Sequence, residues 1–196
     1  MDLLDRMNRY SPEASWAVWE RTPEGRLTGV ATFPRDAANQ LNPEAIFVSL
    51  NPARAGVKPG PGHAPDWANF HSPNGKHNDI FLAHALVDTD YWGSYMVDLH
   101  PTIRESNSGR VKPTTDEVAK AIQGLIDQAL ELGRVKTIVG VGAMSFRTLS
   151  RHSPAITAAL GDLRVLGIPH YSKANARVHK QRPELYRAEV HRGLGL

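Results

Sequence analysis

Cysteine is absent from this chain of 196 residues. That excludes disulfides, thiolate zinc centres, cysteine-ligated iron–sulfur clusters and a thiol nucleophile. Also missing is an apolar run long enough to cross a bilayer, and the opening Met1-Asp2-Leu3-Leu4-Asp5-Arg6 lacks the basic-then-apolar order of a secretion signal. A cytoplasmic protein without a membrane partner is expected. No serine sits in a Gly-x-Ser-x-Gly elbow, which argues against a serine hydrolase. Gly140-Val141-Gly142 is half of a dinucleotide fingerprint without its third glycine or the acidic residue at the next strand end, so it reads as a tight strand-to-helix turn. His71, His77 and Asp79 follow no metal-ligand spacing, and neither a metal nor another cofactor is expected. There is no internal repeat and no low-complexity tract.

What is present is the composition of one globular domain, with 41% hydrophobic and 22% charged residues. The run Ala45-Ile46-Phe47-Val48-Ser49-Leu50 has the continuous apolar character of a strand buried on both faces, and it stops at Asn51-Pro52. A long stretch rich in proline and glycine follows, over 52–76, the kind of loop that carries function or lacks order. Residues 2–10 suggest a short helix. The segments 15–20 and 27–33 flank Pro23-Glu24-Gly25 and suggest an N-terminal β-hairpin, so 1–40 forms a helix-and-hairpin extension. Further on, the pattern predicts a helix over 77–88, a strand over 94–99, and a helix from Thr114 or Thr115 to Leu132 that stops at Gly133. It then predicts a strand over 135–141, a helix over 142–149, a strand over 163–168 and a closing helix over 183–194. Alternating strands and helices imply a three-layer α/β/α sandwich around a mainly parallel four-stranded sheet, in a single domain spanning 1–196.

The net charge is only +3, but beyond Leu163 stand Arg164, Lys173, Arg177, Lys180, Arg182, Arg187 and Arg192 against Glu184 and Glu189. Such clustering creates a potential that attracts phosphate backbones, although a basic terminal helix is also an ordinary solvated face.

Polar residues gather at three strand ends: Asn51 after the first, Asp98-Leu99-His100-Pro101 after the second, and His170-Tyr171-Ser172 after the fourth. An Asn-Pro turn in the first half with a His-x-Ser turn near the end resembles the two-motif layout of the uracil-DNA glycosylase superfamily. Ser49-Leu50-Asn51-Pro52-Ala53 is similar to the Gly-x-Asn-Pro-Gly motif of its mismatch-specific and single-strand-selective branches. Asn78-Asp79-Ile80-Phe81 resembles the Asn-x-Phe that opens a helix there. Val97-Asp98-Leu99-His100-Pro101 falls where the family has its base-reading strand, and Ile168-Pro169-His170-Tyr171-Ser172-Lys173-Ala174-Asn175 looks like the His-Pro-Ser motif and the loop after it. The resemblance covers most of the chain after Ala45.

It implies a DNA N-glycosylase that hydrolyses the bond between sugar and base on a nucleotide flipped out of DNA, working as a monomer on single- or double-stranded DNA. By this carry-over Asn51 positions water and His170 donates a hydrogen bond to the departing base, best as a neutral imidazole. Phe70, Asp98 and Asn78 form the base-binding set, with Phe70 stacking and Trp67 second in line. Ser172, Lys173, Asn175, Arg177 and Lys180 form the DNA-binding set. Asp98 replaces the family's Asn. An ionised carboxylate only accepts hydrogen bonds, so a modified or deaminated base is expected rather than plain uracil. Ser49 or Leu50 and Ala53 replace the flanking glycines. Each residue also has an ordinary reading. Asn51 caps a turn, His170 is a satisfied strand-end histidine, Asp98 is an N-cap or pairs with His100 or Arg104, and Phe70 and Trp67 anchor the loop, the reading preferred for Trp67. Two other functional classes stay open: a non-catalytic nucleic-acid-binding module of the same fold, and a hydrolase of free nucleosides or nucleotides.

Overall fold

A computed structural model describes residues 2–29, 33–34, 36–52, 67–71, 78–103, 105, 107–172 and 175–196. The elements, in chain order, are α1 (Leu3–Met7), β1 (Ala14–Trp16), β2 (Asn42–Ser49), α2 (Asp79–Leu86), β3 (Ser94–Asp98), α3 (Thr115–Leu132), β4 (Thr137–Val141), α4 (Ala143–Leu160), β5 (Arg164–Ile168), α5 (Ala176–His179), a single turn that the sequence pattern does not predict, and α6 (Pro183–Leu194). The strands form one sheet in the order β1-β3-β2-β4-β5.

The four strands expected from the sequence make the parallel part. In it Phe47 lies opposite Met96 and Val139, Ser49 opposite Asp98, and Val141 opposite Ile168. A fifth strand, β1, expected as part of the hairpin, pairs antiparallel with β3 instead, Ala14 opposite Val97 and Trp16 opposite Tyr95. The hairpin turn survives in small form, with Arg21 bridged to Leu27. A three-residue antiparallel edge suits this place, because a short edge leaves few unpaired amides for another chain to join.

Alternation along the strands sorts side chains between two apolar layers. Phe47, Met96, Val139 and Ile168 meet Leu82 and Leu86 of α2 and Tyr186 and Val190 of α6. Ile46, Val48, Val97 and Ile138 meet Ile122, Leu125 and Ile126 of α3 and Leu149 and Ile156 of α4. Each fully buried side chain of this kind contributes about 1.5–3 kcal/mol, so the central strands anchor both layers.

Helix boundaries follow local chemistry. In α3 the Thr114 side chain accepts from the Glu117 amide while Glu117 reaches back to the Thr114 amide, and Gly133 closes the helix in the left-handed region. The sequence pattern stops α4 at Leu149, whereas the helix runs to Leu160 with Pro154 inside it. Proline removes the amide that would bond the Ser150 carbonyl, and Ser153 Oγ donates to that carbonyl at 2.9 Å, which offsets the loss and lets the helix continue.

Beside β1, His71 is buried against Trp19 and Phe33 with ring centroids 5.1 and 5.7 Å away. Its Nε2 faces the Trp16 carbonyl at 3.3 Å, so Nε2 carries the proton, and among the described residues Nδ1 has no partner. Burial pushes its pKa from 6.5 down to about 4, opposed by the bond to Trp16. Between those values the unfolded chain binds the proton and the folded chain does not. The stability from keeping His71 neutral is therefore complete above pH 6.5 and is lost as pH falls toward 4, a change on the order of 3 kcal/mol. Urea unfolding from pH 7 to pH 4 is expected to show this acid slope, and His71→Phe is expected to flatten it.

Candidate functional site

All four parallel strands point their carboxyl ends to one edge of the sheet. From β2 the chain passes to β3 on one side and later to β4 on the other, so the order reverses between β2 and β4. A crevice opens outside such a reversal, where ligands of open α/β sheets collect. Asn51 leaves β2 on one flank of it, Gly142 joins β4 to α4 in the middle, and His170 follows β5 on the other flank. Two strand spacings, about 10 Å of sheet, separate the strands that carry Asn51 and His170.

The Asn51 amide is held by backbone. Its Nδ2 donates to the carbonyls of Ile103 at 3.0 Å, Glu105 at 2.8 Å and Pro52 at 3.2 Å. Three carbonyls around one end of the group fix which end is nitrogen. Among the described residues nothing donates to Oδ1, so the oxygen remains as an acceptor on a half-buried, immobilised amide.

His170 is fixed through its other nitrogen. The Ser172 amide donates to Nδ1 at 3.0 Å, so Nδ1 is unprotonated and the neutral ring carries its hydrogen on Nε2. The Asn175 side chain donates to the His170 carbonyl at 3.1 Å, and the Tyr186 hydroxyl from α6 donates to the Pro169 carbonyl at 2.9 Å. His179, fully buried between Phe81 and Tyr186, supports the same turn. Its Nδ1 accepts from the Gln181 amide, leaving Nε2–H to donate to the Ser172 carbonyl at 3.1 Å. His179 carries no mark of this role in the sequence. Its spacing of seven residues from Ser172 gives no periodic signal, because α5 is only one turn long.

Beneath the crevice lie three further groups: Asp79 from the first turn of α2, Asp98 at the end of β3, and Tyr171. All are buried. The Tyr171 hydroxyl is pushed well above the usual phenol range, first by burial and then by the charges of Asp79 and Asp98, which places the three close together. Asp98 Oδ2 accepts from Asn69 Nδ2 at 2.9 Å, and Asn69 also donates to the Glu13 carbonyl at 2.8 Å. Tyr171 and Asn69 were not anticipated. Tyr171 is the middle residue of His-x-Ser, where the pattern specifies no residue type, and Asn69 lies in the long irregular stretch.

The remaining expected residues divide. Asn78 donates to Gln181 Oε1 at 3.1 Å and so ties the start of α2 to the turn after α5. Phe70 is only 7% exposed, in the apolar layer with Phe81 and Tyr171, so its ring offers no open face on which a base could stack. Trp67 anchors the other layer, packed on Trp16 and Tyr95. Asn175 closes the His170 turn, whereas Arg177 and Lys180 are exposed beside it. Lys173, Ala53 and Arg104 lie outside the described residues, as does most of the stretch 52–76. Among the described residues no cluster of His, Cys, Asp or Glu could hold a metal ion, and no helix is long and apolar enough to cross a membrane.

Gly142 permits the close approach of His170. Its φ is +91°, and a Cβ there would lie 3.3 Å from His170 Cβ. Gly142→Ala is expected to cost about 1–2 kcal/mol in urea unfolding and to displace the His170 ring, visible as a shift of its imidazole resonances. The sequence matches no protein-family model and no curated protein.

Proposed function

We propose that the protein is a DNA N-glycosylase of the uracil-DNA glycosylase type, acting on a deaminated or modified base extruded into the crevice. The observation that carries this reading is the tautomer of His170. A base leaving with its bonding electrons gathers negative charge on its ring oxygens, and a neutral imidazole with a fixed Nε2–H is a preorganised donor for that charge. Across the crevice, Asn51 presents an amide oxygen that can orient a water, and its position costs no reorganisation because the nitrogen end is already bonded. An amide is too weak a base to deprotonate water. That suffices where the sugar is already cationic when water arrives.

Partner contacts follow from charge. Arg177 and Lys180 stand exposed directly beyond the His170 turn and are positioned to meet phosphates. Phe70 lies within the apolar layer, and Asn78 spends its Nδ2 on Gln181 while its Oδ1 is left to accept. Asp98 stays a candidate for reading the base edge through the carboxylate that Asn69 orients. The commitment of Asn78 and Phe70 to the protein itself favours, as a second reading, a module that binds nucleic acid without cleaving it.

The deciding experiment is alkaline cleavage of labelled oligonucleotides, single- and double-stranded, carrying uracil, hypoxanthine, xanthine, mismatched thymine or modified pyrimidines. Strand breaks at one base are expected. No breaks with DNA still bound would select the binding module. Asn51→Ala and His170→Ala are each expected to lower base release by a factor of at least 10² with DNA affinity nearly unchanged, since both act mainly in the transition state. Retained activity would remove the residue from its assigned role. Asp98→Asn is expected to move preference toward uracil; an unchanged base profile would show that Asp98 does not read the base.

A further inference from the structure

Tyr171 follows His170 directly in the chain, and in an extended segment neighbouring side chains point to opposite sides. Here the two rings meet instead. Their centroids are 4.5 Å apart and their planes differ by 32°, closer and more nearly parallel than any other ring pair among the described residues. The turn that brings them together is the one fixed by the Ser172 amide on His170 Nδ1 and by Asn175 on the His170 carbonyl.

The phenol is anchored at both ends. Its ring is buried in the apolar layer with Phe81, Ile168 and Tyr186, where close packing holds it in one rotamer. Its hydroxyl lies beside Asp79 of α2 and Asp98 of β3. His170, by contrast, is half-buried, and the Ser172 amide holds its imidazole at a single atom. One hydrogen bond at Nδ1 selects the tautomer but leaves the ring free to tilt, because the torsion that turns an imidazole has a broad minimum. A ring pressed on its face removes the tilt. Aromatic pairs at such separations contribute about 0.5–1.5 kcal/mol beyond the area they bury.

An N–H bond lies in the plane of the imidazole, so the plane decides where Nε2–H points. We propose that Tyr171 is a positioning residue for His170, its ring backing the imidazole and setting the plane in which Nε2–H meets the departing base. With one face covered, the imidazole offers a base its edge, the approach that a near-linear hydrogen bond needs. Because the same side chain extends from His170 to Asp98, it also fixes the spacing between the donor and the carboxylate proposed to read the base. A residue that only filled space could be any large apolar side chain, whereas this role requires an aromatic ring. What concerns the base rests on the glycosylase reading, and what concerns the imidazole does not.

The test is NMR of the full chain labelled at histidine and tyrosine, with base release measured alongside. In the parent protein the Tyr171 ring protons are expected to show nuclear Overhauser contacts to the His170 ring, whose own protons lie upfield of those of free histidine through the ring current of the phenol. Tyr171→Leu, which removes the ring, is expected to abolish that upfield displacement. It is also expected to loosen the bond to the Ser172 amide, so that the two neutral tautomers of His170 mix, and to lower kcat about tenfold or more with KM within about threefold. Tyr171→Phe keeps the ring and is expected to restore the His170 resonances and most of kcat. A space-filling role would lower Tm in Tyr171→Leu and leave the tautomer as it is. Where leucine prevents folding, the contacts in the parent protein and the behaviour of Tyr171→Phe decide. The proposal is overturned if the parent shows no contact between the two rings, if Tyr171→Leu leaves the His170 resonances and tautomer unchanged, or if Tyr171→Phe is as impaired as Tyr171→Leu. An absence of base release would remove the glycosylase reading, and the histidine resonances would still decide whether Tyr171 positions His170.

Discussion

Everything at the functional edge depends on β2 pairing in parallel with both of its neighbours. With β3 on one side and β4 on the other, β2 is paired along both edges and sits inside the sheet, and Asn51 follows its carboxyl end. The same pairing puts the reversal of strand order beside Asn51. It thereby determines that residues distant in sequence, Asn51, Gly142 and His170, surround one crevice.

What holds those residues still is a set of hydrogen bonds from groups that take no part in the proposed chemistry. The carbonyls of Ile103 and Glu105 orient the Asn51 amide. The Ser172 amide selects the tautomer of His170, His179 holds the Ser172 carbonyl, and Tyr186 holds Pro169. Each such bond is worth only about 1 kcal/mol net, but their joint effect is to fix orientation, and orientation is what a donor aimed at developing charge must have before the reaction begins. Burial adds a second layer of control. It keeps His71 neutral against Trp16 and, with the charges of Asp79 and Asp98, pushes the Tyr171 hydroxyl upward, so at neutral pH the first ring is uncharged and the second group keeps its proton.

The sheet was legible in the sequence because buried parallel strands are continuous apolar runs and helix ends carry their own chemistry. Thr114, Gly133 and Pro183 mark boundaries that the structure repeats. Less legible was anything decided by a contact distant in sequence. Ala14–Trp16 looked like half of a hairpin because local pattern cannot tell a strand's partner, and α4 outran its pattern because one serine hydroxyl compensates Pro154. At the site, Asn51 and His170 could be picked out because they end strands. Their supports could not. Nothing local marks Asn69 as the partner of Asp98, His179 as the partner of Ser172, or Gln181 as the partner of Asn78. Phe70 illustrates the converse, since an aromatic in a loop reads the same whether it faces a ligand or the core.

The central claim is that His170 faces the crevice as a neutral donor through Nε2. Long-range proton–nitrogen correlation of the histidine rings reports tautomer and charge directly. At neutral pH the account predicts an uncharged His170 ring protonated at Nε2, with Nδ1 unprotonated under the Ser172 amide. An imidazolium, or a ring protonated at Nδ1, would contradict it.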